Sequence, residues 1–386
     1  MSKVLLGDVA RERRETCKGS KDGYPIVGLE HLTPEEITLS AWDEEKENTF
    51  TKLFRKGDVL FGRRRAYLKK AAVAPFDGIC SGDITVIEAI PEKILPELLP
   101  FIIQNDALFD FAVGKSAGSL SPRVKWEHLR NYSFELPNLE EQRRLAKVLW
   151  AMDATKKAYQ KLIQKTDELV KSQFIALFGD PKINPKGLKI TTLGSICTFE
   201  GGSQPPRSTF IFEPREGYVR LIQIRDYKSD EYITYIPLAQ ARKFCNADDI
   251  MIGRYGPPIF QILQGLEGAY NVALMKAVPT DPSIDKEFLR FYLKRDELLH
   301  HLEAFQQRTV GQAGIEMNEL KNYPIPVPTL EQQQEFVAFV QQSDKSKFAA
   351  LNVSNLNLSH CLVIQLKIHS AGQRDPCLNL ENAKME

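Results

Sequence analysis

Two patterns of apolar and polar positions occur along the chain, and the first of them predicts short strands. Between residues 1 and 137, brief apolar runs are bounded by glycine, proline and aspartate, as strands usually are. Residues 94–113 instead space their apolar side chains as one face of a helix, interrupted at Pro96 and Pro100. Residues 1–137 are therefore predicted to form a mixed α/β domain. The strand-like runs are Val59-Leu60-Phe61, Ala71-Ala72-Val73-Ala74 and Ile84-Thr85-Val86-Ile87.

Residues 189–328 repeat this plan with different side chains. The run from Tyr218 to Ile224 is mostly apolar and predicts a strand, and Phe288 to Phe305 has helical spacing. A polar stretch that contains glycine follows the helical segment in both regions, at 114–119 and at 311–314. A second mixed α/β domain is therefore predicted.

The second pattern begins after Pro137 and predicts one long helix. Its seam positions recur with 4-3 spacing between glutamate, lysine and glutamine, which is typical of a coiled coil. Asn138 is a suitable N-cap, Gly179 a suitable stop, and about 40 residues give a rod of roughly 60 Å. Such a helix must pack on another element, and the second copy from Thr329 is the predicted antiparallel partner. The predicted seam residues are Leu145, Leu149, Met152, Tyr159, Ile163, Val170 and Leu177, facing Phe336, Val340, Phe348 and Leu351.

The two regions are copies of one unit. The segment Leu129-Arg130-Asn131-Tyr132, with Leu139-Glu140-Glu141-Gln142 after it, returns 191 positions later as Leu320-Lys321-Asn322-Tyr323 and Leu330-Glu331-Gln332-Gln333. A period of this length exceeds the roughly 20–50 residues of a solenoid repeat. The predicted fold is therefore α/β (α+β) domains in tandem duplication, joined by long antiparallel coiled-coil helices. Two similar binding units on a rigid spacer suit a bipartite target.

Composition narrows the class of protein only a little. The chain has 386 residues, 43% of them hydrophobic and 26% charged, and a net charge of +1, so a nucleic-acid surface has to come from local clustering. The six cysteines are scattered and form no CxxC pair, which favours reduced thiols in the cytoplasm. The N-terminus does not have the pattern of a signal peptide, and no apolar run reaches the length of a membrane span, so a cytoplasmic protein without membrane contact is expected.

The junctions between domain and helix resemble those of type I restriction-modification specificity subunits. The resemblance rests on Ser119 to Trp126 followed by Leu136 to Arg144, on Gly57 to Arg63, and on Cys80-Ser81-Gly82-Asp83, and it covers roughly residues 1–350. It implies a non-catalytic subunit whose two target recognition domains each read half of a split double-stranded DNA sequence. It also implies two methyltransferase subunits docked on the helices and additional restriction-motor subunits. S-adenosylmethionine, ATP and Mg²⁺ are expected in those partners, with no cofactor or metal in this subunit.

Candidate DNA contacts come from cations and polar side chains in the predicted loops. Lysine and arginine neutralise phosphates, and arginine also binds guanine O6 and N7. The run from Arg63 to Lys70 holds five cations, and its alternative interpretation is a solvated turn. Arg220 and Arg225 are alternatively strand residues paired with acids. The first-domain candidates are Arg63, Arg64, Arg65, Tyr67, Lys69, Lys70, Lys115, Ser119, Arg123 and Lys125. The second-domain candidates are Gln204, Arg207, Arg220, Gln223, Arg225, Arg254, Tyr255, Arg308 and Gln312.

The sequence gives little support to an enzyme. Gly114-Lys115-Ser116 mimics the end of a phosphate-binding loop, but Phe109 stands where the first glycine is required. Glu44-Glu45-Lys46 has the spacing of some nuclease sites but lies in a charged run with no convincing partner. The main alternative is a DNA-binding scaffold or antitoxin-like adaptor that has no methyltransferase partner. Co-purification with two methyltransferase copies separates it from a specificity subunit.

The predicted boundaries place the first recognition domain at 1–137, the spacer helix at 138–178, a linker at 179–188, the second recognition domain at 189–328 and the second helix at 329–365. Residues 366–386 form a tail that resembles no part of the family. Asparagine and serine accumulate after Phe348, and both form helices poorly. A truncation or a shifted reading frame, with a shortened second helix, is therefore expected.

Overall fold

The computed structural model describes residues 2–19, 21, 23–44, 48–256, 258–305, 307–309 and 312–347. These residues fall into two compact units, 2–162 and 163–347, and the division lies inside a long helix. Each unit therefore includes one recognition-domain plan and one half of that helix. Within the described part of the chain, no helix combines the length and the apolar character needed to cross a membrane.

The first unit is built on three small sheets. A four-stranded antiparallel sheet has the order β2-β8-β5-β6, a three-stranded sheet has the order β3-β7-β4, and β1 pairs with β9. The three strand-like runs of the sequence are strands β5, β6 and β8. The strands are β1 (Ser2–Leu5), β2 (Ala10–Glu12), β3 (Ile26–Val27), β4 (Lys52–Phe54), β5 (Val59–Gly62), β6 (Ala71–Val73), β7 (Gly78–Cys80), β8 (Ile84–Ala89) and β9 (Ser133–Leu136).

The helical segment of the first unit is two helices rather than one interrupted helix. Pro100 lies in the first turn of its helix, where its missing N–H has no partner to lose. The break comes at Asn105, whose Oδ1 accepts the Ala107 N–H at 2.9 Å and caps the next helix. The helices of this unit are α1 (Leu6–Val9), α2 (Leu99–Ile103), α3 (Asp106–Gly114), α4 (Trp126–Leu129) and the start of α5 (Leu139–Phe178).

The second unit repeats the sheets of the first. One four-stranded sheet has the order β11-β18-β15-β16, another the order β13-β12-β17-β14, and β10-β21 and β19-β20 are pairs. The strands are β10 (Ile190–Thr192), β11 (Cys197–Gly201), β12 (Tyr218–Ile222), β13 (Tyr235–Pro237), β14 (Phe244–Cys245), β15 (Ile250–Gly253), β16 (Gln261–Leu263), β17 (Gly268–Tyr270), β18 (Leu274–Pro279), β19 (Gln307–Thr309), β20 (Gln312–Gly314) and β21 (Pro324–Pro326).

Two predicted elements of this unit are shorter than their patterns indicated. The strand from Tyr218 ends at Ile222, because the Asp226 carboxylate accepts the Gln223 N–H at 2.9 Å and starts a 3₁₀ turn. The helical run to Phe305 is divided near Lys294 into two helices, the first of which is capped by Asp285. The helices are α6 (Leu193–Ile196), α7 (Lys286–Leu293), α8 (Asp296–Ala304), α9 (Met317–Asn322) and α10, over residues 330–347.

Helix α5 is present with the caps that the sequence predicts. Asn138 Oδ1 accepts the Glu141 N–H at 2.9 Å, so one of the unpaired donors of the first turn is satisfied. At the other end, Gly179 has a left-handed φ of +71° and its N–H reaches Ile175 O at 2.8 Å. The predicted architecture of duplicated domains with a long helix is confirmed.

Within the described residues, the seam of α5 packs on a different hydrophobic core at each of its two ends. Leu149 is fully buried, with Leu145 beside it, in the core of the first domain. Val170 and Leu177 instead border the second unit's core, which contains Phe336 and Val340 of α10. Met152, Tyr159 and Ile163 are half-buried, and Phe348 and Leu351 lie outside the described residues.

The helix pairing in the second unit is antiparallel and aromatic. Phe336 contacts Phe174 and Phe178 with ring centroids 5.6 Å apart in both cases. Lys347, about three turns farther along α10, pairs with Asp167, which precedes Phe174 on α5. Phe174 and Phe178 are nearly fully buried, although the 4-3 pattern assigned the seam to their neighbour Leu177. The size of the phenylalanine rings determines which face of the helix is buried.

A buried glutamine near the start of each long helix explains why the Leu-x-x-Gln segment occurs twice. Gln142 accepts the Leu95 N–H at 2.8 Å and donates to Pro137 O at 2.8 Å. Gln333, 191 positions later, accepts the Asp285 N–H at 2.8 Å and donates to Ser283 O and Pro328 O. Each glutamine ties the helix to the loop that precedes the helical part of its domain.

Candidate nucleic-acid interface

Three loops of the first domain converge at the end of β5. The first holds Arg63 to Lys70, the second is the turn between β7 and β8, and the third runs from Lys115 to Val124. Backbone bonds join them, because Arg63 N–H donates to Asp83 O at 3.0 Å and Val124 N–H donates to Arg63 O at 3.0 Å. Arg64 also forms an antiparallel bridge with Arg123. We call this surface the loop platform of the first domain.

A carboxylate at the centre of the platform holds two of the predicted arginines. Asp83 Oδ1 accepts Arg123 Nε at 2.7 Å, and Asp83 Oδ2 lies 3.4 Å from both Arg123 Nη2 and Arg64 Nη1. Arg64 Nε donates to Ser121 Oγ at 2.6 Å. Partial burial raises the pKa of Asp83, but the two arginines outweigh it and hold that pKa below its usual range. Asp83 was quoted in the family motif but not among the candidate residues, since only the fold brings it to the arginines.

Some of the other side chains of the first loop are exposed, and others are already paired with protein groups. Arg65 and Tyr67 are exposed, the latter by 55%. Lys69 pairs with Asp106 at 2.5 Å, and Lys70 Nζ donates to Leu29 O at 2.7 Å. Arg63 is half-buried, and its Nε has no hydrogen-bond partner among the described atoms. The solvated-turn alternative therefore fits Arg65 and Tyr67 better than the rest of the run.

The third loop presents an apolar tip that the sequence analysis did not include among the candidates. Ala117 and Arg123 pair through two backbone hydrogen bonds of 3.0 Å, and Gly118 supplies a left-handed φ of +113°. Leu120 follows at the tip with 91% of its surface exposed. Lys115, Ser119 and Lys125 are also exposed, so the loop presents the apolar Leu120 side chain together with two cations and a hydroxyl.

The second domain builds the same platform with different side chains. Arg254 N–H donates to Ala273 O at 2.8 Å, as Arg63 does to Asp83 O, and Tyr255 bridges Gly314 as Arg64 bridges Arg123. Alanine and glycine therefore replace the first domain's carboxylate and second arginine. The Arg254 guanidinium lies 5.3 Å from the centre of the Tyr255 ring, a cation–π distance.

The remaining candidates of the second domain are dispersed. Gln204 and Arg207 are exposed. The alternative pairing with acids holds for both arginines: Arg220 contacts Asp230 at 2.9 Å, and Arg225 Nε lies 3.8 Å from Asp226 Oδ1. The Arg225 guanidinium also lies over the Tyr232 ring at 5.3 Å. Gln223 donates to the Thr234 hydroxyl at 3.2 Å. Arg308 and Gln312 belong to β19 and β20, and their side chains lie outside the described part of the structure.

One group of side chains has the composition of a metal site. Glu30, His31 and Asp43 bring one ligand atom each within 4.8 Å of one another. His31 Nδ1 accepts the Gly28 N–H at 2.9 Å, and Nε2 lies 3.5 Å from Asp43, so both ring nitrogens already have protein neighbours. The bond to Nδ1 stabilises the turn at Gly28.

Comparison with known proteins finds one family and several relatives that are similar to this chain. The family described as the type I restriction modification DNA specificity domain matches residues 3–168 and 185–357. The chain is 23% identical over 317 residues to the MjaIX specificity subunit of a type I restriction enzyme from Methanocaldococcus jannaschii, covering 75% of this chain and 71% of that protein.

Two solved structures share the fold over nearly the whole length. The S subunit of a type I restriction-modification system from M. genitalium has a TM-score of 0.58 at 13% identity and covers 95% of this chain and 96% of its own. A chain from a study of the assembly and conformational transition of the type I R-M system has a TM-score of 0.52 at 24% identity, with 96% and 97% coverage.

Proposed function

This chain belongs to the family of type I restriction-modification DNA specificity domains, and on that premise we propose that its two domains each read one half of a bipartite, asymmetric DNA target. The chain is a two-domain specificity subunit of a type I restriction-modification system. We propose that each domain binds its own half-site through the side chains of its loop platform.

The observation that carries this proposal is the difference between the two loop platforms. Both share one backbone hydrogen bond and one backbone bridge, yet the side chains at the bridge are Arg64 and Arg123 in the first domain and Tyr255 and Gly314 in the second. Hydrogen-bonding side chains read base edges, whereas a shared backbone carries no sequence information. Different side chains on a common backbone therefore support two different half-sites.

We also propose that the subunit is non-catalytic and that chemistry resides in its partners. Two methyltransferase subunits would hold S-adenosylmethionine, and restriction-motor subunits would use ATP and Mg²⁺. The loops of this chain bind and orient the duplex. Their ionic groups suit that role, because arginine cannot be deprotonated in proteins and so is suited to binding rather than to proton transfer.

The exposed face of α5 is our proposed docking surface for the methyltransferase subunits. Val148, Leu162 and Leu169 are 42%, 51% and 52% exposed and are separated by 14 and 7 residues, so they share one helix face. Leu169→Glu should abolish co-purification of the methyltransferase while the thermal unfolding of the chain is unchanged. Gln160→Glu, on another exposed part of α5, is the matched control. Retention of the methyltransferase by the Leu169 variant would remove this surface from the proposal.

A domain exchange tests the proposed division of labour. Residues 1–137 are replaced by the matching segment of another specificity subunit, and the methylated motif is determined by methylome sequencing. One half of the motif should change and the other half, with the gap, should stay. If both halves change, the two domains do not read independently and the proposal fails.

A further inference from the structure

We infer that Asp83 is a positioning residue that holds Arg64 and Arg123 in place to bind guanine in the half-site of the first domain. The inference rests on the proposed function, because it assumes that the loop platform faces DNA. It adds the base class that the first domain reads and the group that orients its readers.

The geometry at Asp83 leaves the outer edge of an arginine available. Arg123 directs Nε and Nη2 toward the carboxylate, at 2.7 and 3.4 Å. A guanidinium has five N–H donors in a planar fork, so Nη1 and the second Nη2 hydrogen remain on the far edge. Those donors match O6 and N7 of guanine, the acceptor pair that arginine binds bidentately in the major groove.

Both arginines are fixed before DNA arrives. Arg64 is bound by Ser121 Oγ at 2.6 Å as well as by Asp83, and its backbone bridges Arg123. An arginine side chain has many rotamers, so holding it in advance lowers the conformational entropy that is lost on binding. Preorganisation favours a directional contact to a base.

The carboxylate also argues against a role limited to phosphate binding. Asp83 cancels one of the two positive charges beside it, and its side chain is 22% exposed, so an approaching phosphate is repelled as well as attracted. A patch that only bound phosphate would bind more tightly without this aspartate. The presence of Asp83 is explained if its contribution to orienting the arginines exceeds its electrostatic cost.

The experiment uses the full-length chain with its methyltransferase subunits and compares Asp83→Asn with Asp77→Asn. Asp77 pairs with Arg55 at 3.1 Å near the opposite end of β5, and asparagine can still accept the Lys56 N–H there, so the charge change is the same. Affinity is measured for a target duplex and for a non-target duplex of equal length. Asp83→Asn should raise non-target affinity and lower target affinity, reducing their ratio on the order of tenfold for one lost bidentate contact. Asp77→Asn should leave that ratio unchanged.

A modified base identifies the contact atom. Duplexes carrying 7-deazaguanine lack the N7 acceptor at one position of the half-site. Replacing one guanine of the half-site by 7-deazaguanine should lower the affinity of the wild-type chain. The same replacement should have little effect on the affinity of Asp83→Asn, which has already lost this contact. Arg64→Lys and Arg123→Lys keep the charge but lose the planar fork, so at least one should lose discrimination at that guanine while keeping its non-target affinity.

The outcomes separate this inference from the proposed function. Failure of the wild-type complex to bind its methylated motif in preference to other DNA would count against the proposed function itself. Equal changes in both affinities for Asp83→Asn, or a first half-site without an N7-sensitive guanine, would overturn the inference alone. Thermal unfolding of Asp83→Asn distinguishes lost orientation from lost folding, and the two lysine variants test the contact if that variant unfolds.

Discussion

The two recognition domains keep the same groups where the fold is anchored and use different groups where the loops converge. Gln142 and Gln333 are both buried and both tie a long helix to its domain. Asp58 and Asp249 likewise accept the N–H three residues before them, at 2.8 and 3.0 Å. These side chains satisfy buried or turn N–H groups, so replacing them leaves a backbone donor without a partner.

The loop platforms differ because their shared bonds use only the backbone. Arg63 N–H to Asp83 O and Arg254 N–H to Ala273 O are the same bond with unrelated side chains around it. Backbone bonds of this kind tolerate nearly any residue. The scaffold is therefore present twice with different loop side chains and without loss of the fold.

The largest effect should come from changing the helix between the two anchored ends. Two residues inserted between Gln160 and Lys161 rotate everything beyond by about 200° and should abolish activity. Seven residues rotate it by only about 20° from the original phase and add about 10.5 Å of helix, or roughly three base pairs of target gap.

The insertion site lies where Gln160, Lys161 and Leu162 are exposed, away from Phe178, which is 1% exposed. The methylated motif of each variant is the measurement. An active seven-residue variant with an unchanged gap would show that the helix does not set the spacing.

The anchors of α5 should differ in strength, because one end is aromatic and the other depends partly on a hydrogen bond. Phe178→Ala removes a fully buried ring that contacts Phe174, Phe288 and Phe336, and should cost about 3–5 kcal/mol in the second unit. Trp150→Phe keeps the apolar contact with Phe101 but loses the indole N–H bond to Glu97 O, at about 0.5–1.5 kcal/mol. Urea unfolding of both variants checks the order, and equal losses would contradict it.

The sequence predicted the local parts of this molecule better than the long-range ones. Asn138 and Gly179 mark the ends of α5 because capping depends on groups within a few residues. The 4-3 pattern identified Leu145 and Leu149 as a packed face, but it could not identify the domain core that they pack against. The contacts of Asp83 with Arg64 and Arg123 could not be predicted. These arginines are 19 and 40 positions away in the sequence, and only the folded sheet brings their loops together.

A smaller and graded effect is expected at the two buried glutamines. Gln333→Ala leaves one N–H and two carbonyl groups without their partner, and Gln142→Ala leaves one N–H and one carbonyl. Each lost hydrogen bond contributes about 0.5–1.5 kcal/mol, so Gln333→Ala, which loses three, should destabilise more than Gln142→Ala, which loses two. Thermal unfolding is the measurement, with the exposed neighbour Gln334→Ala as the control. A larger loss for Gln142→Ala would show that the two anchors are not equivalent.

The smallest effect is expected at one strained position of the platform, and it is the sharpest test of the comparison. Arg65 has a left-handed φ of 54°, and the matching residue of the second domain is Gly256, with a φ of 93°. A left-handed conformation costs a residue with a Cβ roughly 1–2 kcal/mol, while glycine adopts it freely but loses about 0.5–1 kcal/mol through its greater entropy in the unfolded chain. Arg65→Gly should therefore leave stability equal or slightly higher.

The same substitution should weaken DNA binding. Arg65 is exposed, so its expected contact is a phosphate, and losing it should reduce the slope of log affinity against log salt by about 0.9 without altering the methylated motif. Gly256→Arg is the reciprocal variant, and should increase the slope by a similar amount with a small loss of stability. If Arg65→Gly changes the motif instead, Arg65 reads a base. If neither the slope nor the motif changes, Arg65 does not contact DNA and does not contribute to the difference between the platforms.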